Sequence, residues 1–210
     1  MVHAFTFNPV EENTYIIYDE TGECIIIDPG CYTAAEKETL RAFILDNKLT
    51  PVRLLNTHCH FDHVLGNKFV SETWNLSLEI HRGEMEVLER YPDVCRRYGV
   101  MPFDPSPMPN RFIEDDEVIR FGNSEIKAIL APGHSPASLA FYNEKGQYLI
   151  AGDVLFLGSI GRTDLPGGDH ETLLQSIRER IFVLPGETIV YPGHGRETTI
   201  RHEVEYNPFF

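Results

Sequence analysis

The chain has 210 residues, enough for one sizeable domain over residues 1–210 with a buried core. Hydrophobic residues make up 42% and charged residues 24%, the proportions of an ordinary water-soluble globular protein. The formal net charge of −14 excludes a nucleic-acid partner, which needs basic patches to displace counterions, and disfavours an anionic membrane surface.

The opening "MVHAFTFNPVEEN" has no basic region followed by a long apolar run, so no secretory signal is expected, and no stretch approaches the length of a membrane span. "HAFTF", "TYIIYD" and "CIIIDPG" read as three strands, the last ending in a Pro-Gly turn. "TAAEKETLRAFILDNK" has helical spacing at Ala35, Leu40, Phe43 and Ile44, with Thr33 as a cap before Glu36. "VRLLNT" is a buried strand, "HVLGNKFVSETW" a helix and "LSLEIH" a further strand. Residues 82–110 join a charged helical piece to the proline-rich "VMPFDPSPMPN"; they read as a surface excursion, with a lid or subunit contact as the alternative. Strands resume with "EVIRF", "SEIKAILAP", "SLAFYN" and "QYLIAGD"; a helix, "HETLLQSIRERIFVL", follows, and a last strand, "TIVYPGH", precedes an extended tail. Two groups of strands, each followed by helices, predict an α/β protein with two mixed sheets face to face and helices outside, an α/β/β/α sandwich. Cys24, Cys31, Cys59 and Cys95 form no close C-x-x-C pair and read as reduced thiols of a cytoplasmic protein.

The stretch "NTHCHFDHVLGN" places His58, His60, Asp62 and His63 within six positions at the end of a predicted strand. Extended geometry points His58 and His60 the same way, while the intervening Cys59 points away and reads as packing. Asp62 and His63 follow as the backbone turns into a helix. Imidazole and carboxylate at this spacing suit zinc and similar divalent metals. Three later segments each place a donor just past a strand beside glycine or proline: "LAPGHSPAS" with His134, "LIAGDVLF" with Asp153 and "VYPGHGRET" with His194. Glycine there lets the backbone come close to an ion. Together they make seven donors, too many for one tetrahedral zinc and suited to two metals sharing a bridge.

The pattern T-H-x-H-x-D-H, then G-H-S-P, G-D and P-G-H-G, resembles the metallo-β-lactamase superfamily, and the chain is similar to its small single-domain, glyoxalase II-like hydrolases. "IIIDPG", "IGRTDLPGGDH" and the terminal "YNPFF" extend the likeness over nearly the whole chain. The resemblance implies that His58, His60 and His134 hold one metal, that Asp62, His63 and His194 hold the second, and that Asp153 bridges them. The two ions would be Zn²⁺, with iron or manganese as alternatives. Asp62 and Asp153 would be the catalytic carboxylates. A residual positive centre would favour an anionic tetrahedral intermediate, and coordination lowers the pKa of water from 15.7 to about 7. The implied activity is cleavage of a small thioester or ester such as S-lactoylglutathione by hydroxide held between the metals. The alternative is a persulfide dioxygenase of the same superfamily with a single Fe(II) on His58, His134 and Asp153.

Asp153 points away from a true β-lactamase, which typically lacks that bridging aspartate, and His60 points away from the flavo-diiron reductases, which usually carry Glu there. Asp28 reads either as a turn former or as an acceptor orienting a ligand imidazole. Arg162 reads as a guanidinium gripping a substrate carboxylate or as the partner of Asp164. His3, His81, His170 and His202 read as surface or capping residues. Glyoxalase II proper continues into a helical glutathione-binding domain, whereas only sixteen residues follow His194 here. Ala137-Ser138 also replaces a frequent Gly-His, so glutathione specificity is left open.

Overall fold

The computed structural model describes residues 1–210, which divide into two compact units: Met1–Phe112 with Arg120–Ser124, and Ile113–Ile119 with Glu125–Phe210. Each unit carries one mixed sheet and its helices, the two mixed sheets expected from the sequence.

In the first unit the strands β1 (Val2–Phe7), β2 (Glu12–Tyr18), β3 (Glu23–Ile27), β4 (Thr50–Leu55), β5 (Leu78–Ile80) and β6 (Arg111–Phe112) lie side by side in chain order. The first three run antiparallel, and β3 to β6 run parallel. Parallel strands need covered faces, which is why β3 is a run of aliphatic residues with Ile25, Ile26 and Ile27 fully buried. Helix α1 (Ala34–Asp46) makes the crossover from β3 to β4 and begins with the expected capping box: Thr33 accepts from Glu36 N, and the Glu36 carboxylate accepts from Thr33 N. Asp28 follows β3 directly and His58 comes three residues after β4, so both lie beyond the carboxyl ends of parallel strands, where α/β sheets place their sites.

The single helix expected after the histidine cluster is two, α2 (Phe61–Val64) and α3 (Asn67–Trp74). They break at Gly66, whose N–H donates to Pro29 O at 2.7 Å. A Cβ there would meet Cys31 Sγ at 2.5 Å and Pro29 O at 2.7 Å, so only glycine lets the histidine-bearing turn lie against residues 29–31. Residues 82–110 are tied to their unit. Helix α4 (Met85–Tyr98) buries Leu88, Tyr91 and Cys95 on one face, Tyr91 Oη donates to Asp104 O, and Asn67 Nδ2 donates to Ser106 Oγ.

The other sheet, which belongs to the second unit except for Arg120, Phe121 and Ser124, has the order β14-β13-β10-β9-β8-β7, built from β7 (Val118–Phe121), β8 (Ser124–Leu130), β9 (Leu139–Asn143), β10 (Tyr148–Gly152), β13 (Ile189–Pro192) and β14 (Thr198–Thr199). A small hairpin, β11 (Leu155–Phe156) and β12 (Ser159–Ile160), stands apart. Only β10 and β13 pair in parallel, and Asp153 and His194 lie just past their ends. Helix α5 (His170–Ser176) runs on into a π-helical turn, Ile177–Ile181, and with it buries Leu173, Ile177 and Ile181 against Leu149 and Val190. The tail expected to be extended is instead helix α6 (Ile200–Tyr206). Thr199 caps it through His202 N, and its buried positions, Ile200 and Glu203, include a charged residue, so hydrophobic spacing gave no sign of it. No helix is long and apolar enough to cross a membrane.

Candidate metal centre

The first unit gathers His58, His60, Asp62 and His63 where β4 gives way to α2. His58 and His63 are fully buried, with ring centroids 4.1 Å apart, and the His60 ring stands edge-on to His58 at 4.7 Å. His63 Nε2 lies 3.6 Å from Asp62 Oδ2. Donor atoms of Asp28, His58 and His63 all fall within 4.8 Å of one another.

Asp28 sets the proton positions of this group. Its Oδ2 accepts from Thr57 Oγ1 at 2.6 Å and from His63 Nδ1 at 3.0 Å, while Oδ1 accepts from Thr57 N and Asn56 Nδ2. Because the Thr57 hydroxyl spends its proton on Asp28, its oxygen accepts from His58 Nδ1 at 3.0 Å. Both imidazoles therefore carry their proton on Nδ1, which makes Nε2 the nitrogen able to accept or to ligate. Asp28 also has φ 50°, so it turns the chain, and the same residue accepts from His63 Nδ1, as expected of an acceptor that orients an imidazole.

In the second unit Asp153 Oδ2 lies between two imidazoles, 3.5 Å from His134 Nε2 and 3.6 Å from His194 Nε2. His134 Nδ1 donates to the Arg162 carbonyl at 2.7 Å, which fixes this tautomer too. Gly161 makes that approach feasible: a Cβ there would stand 1.9 Å from Asp153 O and 3.0 Å from His134 Nδ1. The Phe156 ring meets the His194 ring edge-on at 6.4 Å.

Both donor sets fit divalent cations. Buried imidazoles and carboxylates are costly unless paired or ligating. Here His63 and His134 give Nδ1 to a carboxylate or a carbonyl, the arrangement that orients zinc ligands. Cys59 takes no part: it is buried in the first unit's core, its backbone N–H donates to Glu84 Oε2 at 2.9 Å, and burial, with Glu84 and Asp28 adding, pushes its thiol well up. Arg162 forks onto Asp164 at 2.7 and 2.8 Å in solvent. His81 accepts from Gly83 N, and His3 stacks on Phe43.

Sequence reasoning passed over Glu12, Thr57 and the Arg162 carbonyl. Glu12 is fully buried with Oε1 3.9 Å from His63 Nδ1; burial pushes its carboxyl well up, while His63 pulls the other way. Thr57, adjacent to His58, carries a hydroxyl whose capacity to hydrogen-bond the sequence does show. A backbone carbonyl leaves no mark in a sequence.

The profile of the metallo-β-lactamase superfamily matches residues 8–194. The chain belongs to this superfamily. Among its relatives, hydroxyacylglutathione hydrolase GloC of Haemophilus influenzae is 35% identical over 205 residues, covering 95% of this chain and 92% of that protein. Of solved metallo-β-lactamase folds, the BLEG-1 B3 metallo-β-lactamase superposes with a TM-score of 0.91 at 36% identity, covering 100% of this chain and 99% of that one. TTHA1623, solved in a di-iron-bound form, superposes with a TM-score of 0.89 at 36% identity, covering 99% and 100%. The glyoxalase II-like resemblance thus holds. The superfamily fold and the donor sets are those of a metal-dependent hydrolase with ligands enough for two ions.

Proposed function

We propose that the chain hydrolyses a small thioester or ester, in the manner of a hydroxyacylglutathione hydrolase. His58, His60 and His134 would hold one divalent cation, Asp62, His63 and His194 the other, and Asp153 would link the two. The observation that carries this reading is the Asp153 carboxylate set within 3.6 Å of two imidazoles that the assignment gives to different cations. The kinship with GloC supports the thioester, and the di-iron form of TTHA1623 supports paired metals.

Bound cations, with zinc first and iron or manganese as alternatives, would supply Lewis acidity and lower the pKa of coordinated water to about 7. The chain's own residues have other tasks. Asp28 and the Arg162 carbonyl hold Nε2 of His58, His63 and His134 ready for ligation. Asp62 and Asp153 offset cation charge and accept hydrogen bonds that orient the attacking water. The Arg162 guanidinium receives a substrate carboxylate in place of Asp164. A thiolate leaves readily, so no strong general acid is required. Four free, buried cysteines agree with the reduced cytoplasm as its place of work.

The test is to assay protein purified without added metal for metal content, and for turnover of S-lactoylglutathione, a β-lactam, and a persulfide with oxygen uptake. Two metals per chain with thioester cleavage are expected, together with more than about a hundredfold loss in Asp153→Ala, beyond what outer hydrogen-bond partners typically cost. One iron with oxygen consumption, or β-lactam turnover alone, would overturn the proposal. The likeness to BLEG-1 makes that last arm necessary.

A further inference from the structure

In the second unit all three donors are reached through one small hairpin. It starts two residues after Asp153, and its second strand leads through Gly161 to the Arg162 carbonyl that holds His134. Its Phe156 ring meets His194 edge-on. Two-residue strands cannot fix such a hairpin by their own ladder, so something else must hold it.

Glu203 of α6 does so. Its side chain is fully buried. Oε2 accepts from Gly158 N, at the hairpin's turn, at 3.0 Å and from Asn207 Nδ2 at 2.8 Å. Oε1 accepts from Thr198 Oγ1 at 2.6 Å. Thr198 lies in β14, which closes the loop that begins at His194. Asn207, one helical turn beyond Glu203, also donates to Ser159 O at 3.1 Å. One carboxylate thereby ties the hairpin turn to the strand after His194, clamping both flanks of that imidazole.

We propose that Glu203 is a positioning residue for the His134–Asp153–His194 donor set, fixing through Gly158 and Thr198 the geometry in which these side chains meet a cation. The inference rests on the metal assignment above but not on the substrate. A buried carboxylate on a surface helix needs no such placement for folding alone, since an apolar residue would fill the space at less desolvation cost.

Glu203→Gln, Glu203→Ala and Thr198→Val are titrated with Zn²⁺ against a competing chelator, beside thermal unfolding and thioester kinetics. Outer hydrogen-bond partners typically contribute 10–100-fold to metal affinity. Glu203→Ala is expected to weaken zinc retention by about tenfold, Gln, which keeps one accepting oxygen, to restore part of it, and Thr198→Val to shift it less in the same direction. Excess zinc should then recover kcat with KM unchanged. Variants that melt earlier yet bind zinc with unaltered affinity while folded would reduce Glu203 to a structural role and overturn the proposal. If the alanine variant does not fold, the glutamine and Thr198 variants decide. Absence of thioester cleavage in the unaltered protein would sink the proposed substrate and leave the zinc result standing.

Discussion

Asp28 Oδ2 accepts from His63 Nδ1 at 3.0 Å while also accepting from the hydroxyl that carries His58 Nδ1, so one carboxylate oxygen sets the tautomers of two imidazoles. Nothing in the spacing of the H-x-H-x-D-H motif does this; the orientation arrives from the strand beside it. Asp28→Asn tests the link cleanly, because asparagine tolerates the left-handed backbone at φ 50°. Its amide carries a single accepting oxygen where the carboxylate offers two. Metal affinity of the folded variant should fall by about 10–100-fold, measured by chelator competition, and its melting temperature should fall as well, because the amide NH2 faces the Thr57 and Asn56 donors. Unaltered affinity would show that His58 and His63 hold their tautomers without Asp28.

Gly161 is where the backbone crowds most closely against Asp153 and His134 in the second unit. Its missing side chain makes room for the Asp153 carbonyl and for His134 Nδ1, at 1.9 and 3.0 Å from where a Cβ would stand. Gly161→Ala should therefore destabilise by about 1–3 kcal/mol, the range for overpacking. Activity should fall further than stability, because His134 and Asp153 are the groups displaced. Denaturant unfolding beside kinetics separates the two effects, and a variant as stable and active as the parent would contradict the packing described.

Acid should loosen the first unit at a predictable place. Burial raises the Asp19 carboxyl, but hydrogen bonds from the Thr21 hydroxyl and amide, from Ser124 and from Asn123 N outweigh it and bring the pKa down to about 2 from 3.8. A carboxyl lowered in the folded state adds stability that is complete above its unfolded value and lost as pH falls through its folded one. The stability gap between the parent and Asp19→Asn should thus be constant above pH about 5 and close between about 4 and 2. Urea titrations at stepped pH would measure it; a gap that persists at pH 2 would place the stabilisation elsewhere.

The two-sheet architecture was legible in the sequence, and the histidine and aspartate motifs drew notice there, because each rests on a local signal. Strands announce themselves by aliphatic runs such as "CIIIDPG", and the donors stand beside turn-forming glycines and prolines. What stayed hidden depends on long-range contact. Gly66 splits a continuous helical pattern because residues 29–31 press on it. Helix α6 carries no apolar spacing to mark it, because its inward face sets the Glu203 carboxylate beside a single apolar residue, Ile200. The Arg162 carbonyl is invisible in any residue pattern, although its side chain drew attention.

That side chain makes the last prediction, because its present partner competes with the proposed substrate. Arg162 forks onto Asp164, both residues are largely in solvent, and the guanidinium's hydrogen bonds hold the Asp164 carboxyl down at about 2, so the pair stays ionised at any working pH. An exposed pair of this kind contributes little to stability, so neither Arg162→Ala nor Asp164→Asn should move the melting temperature appreciably. Their effects on a glutathione thioester should be opposite. Losing the guanidinium removes a charge-assisted grip on the substrate carboxylate and should raise KM by about tenfold, whereas Asp164→Asn removes the competitor and should lower KM. A thioester of N-acetylcysteamine has no carboxylate, so it should feel neither change. Equal responses of the two substrates, or a rise in KM with both variants, would confine Arg162 to its ion pair and leave its carbonyl as the only part that serves the site.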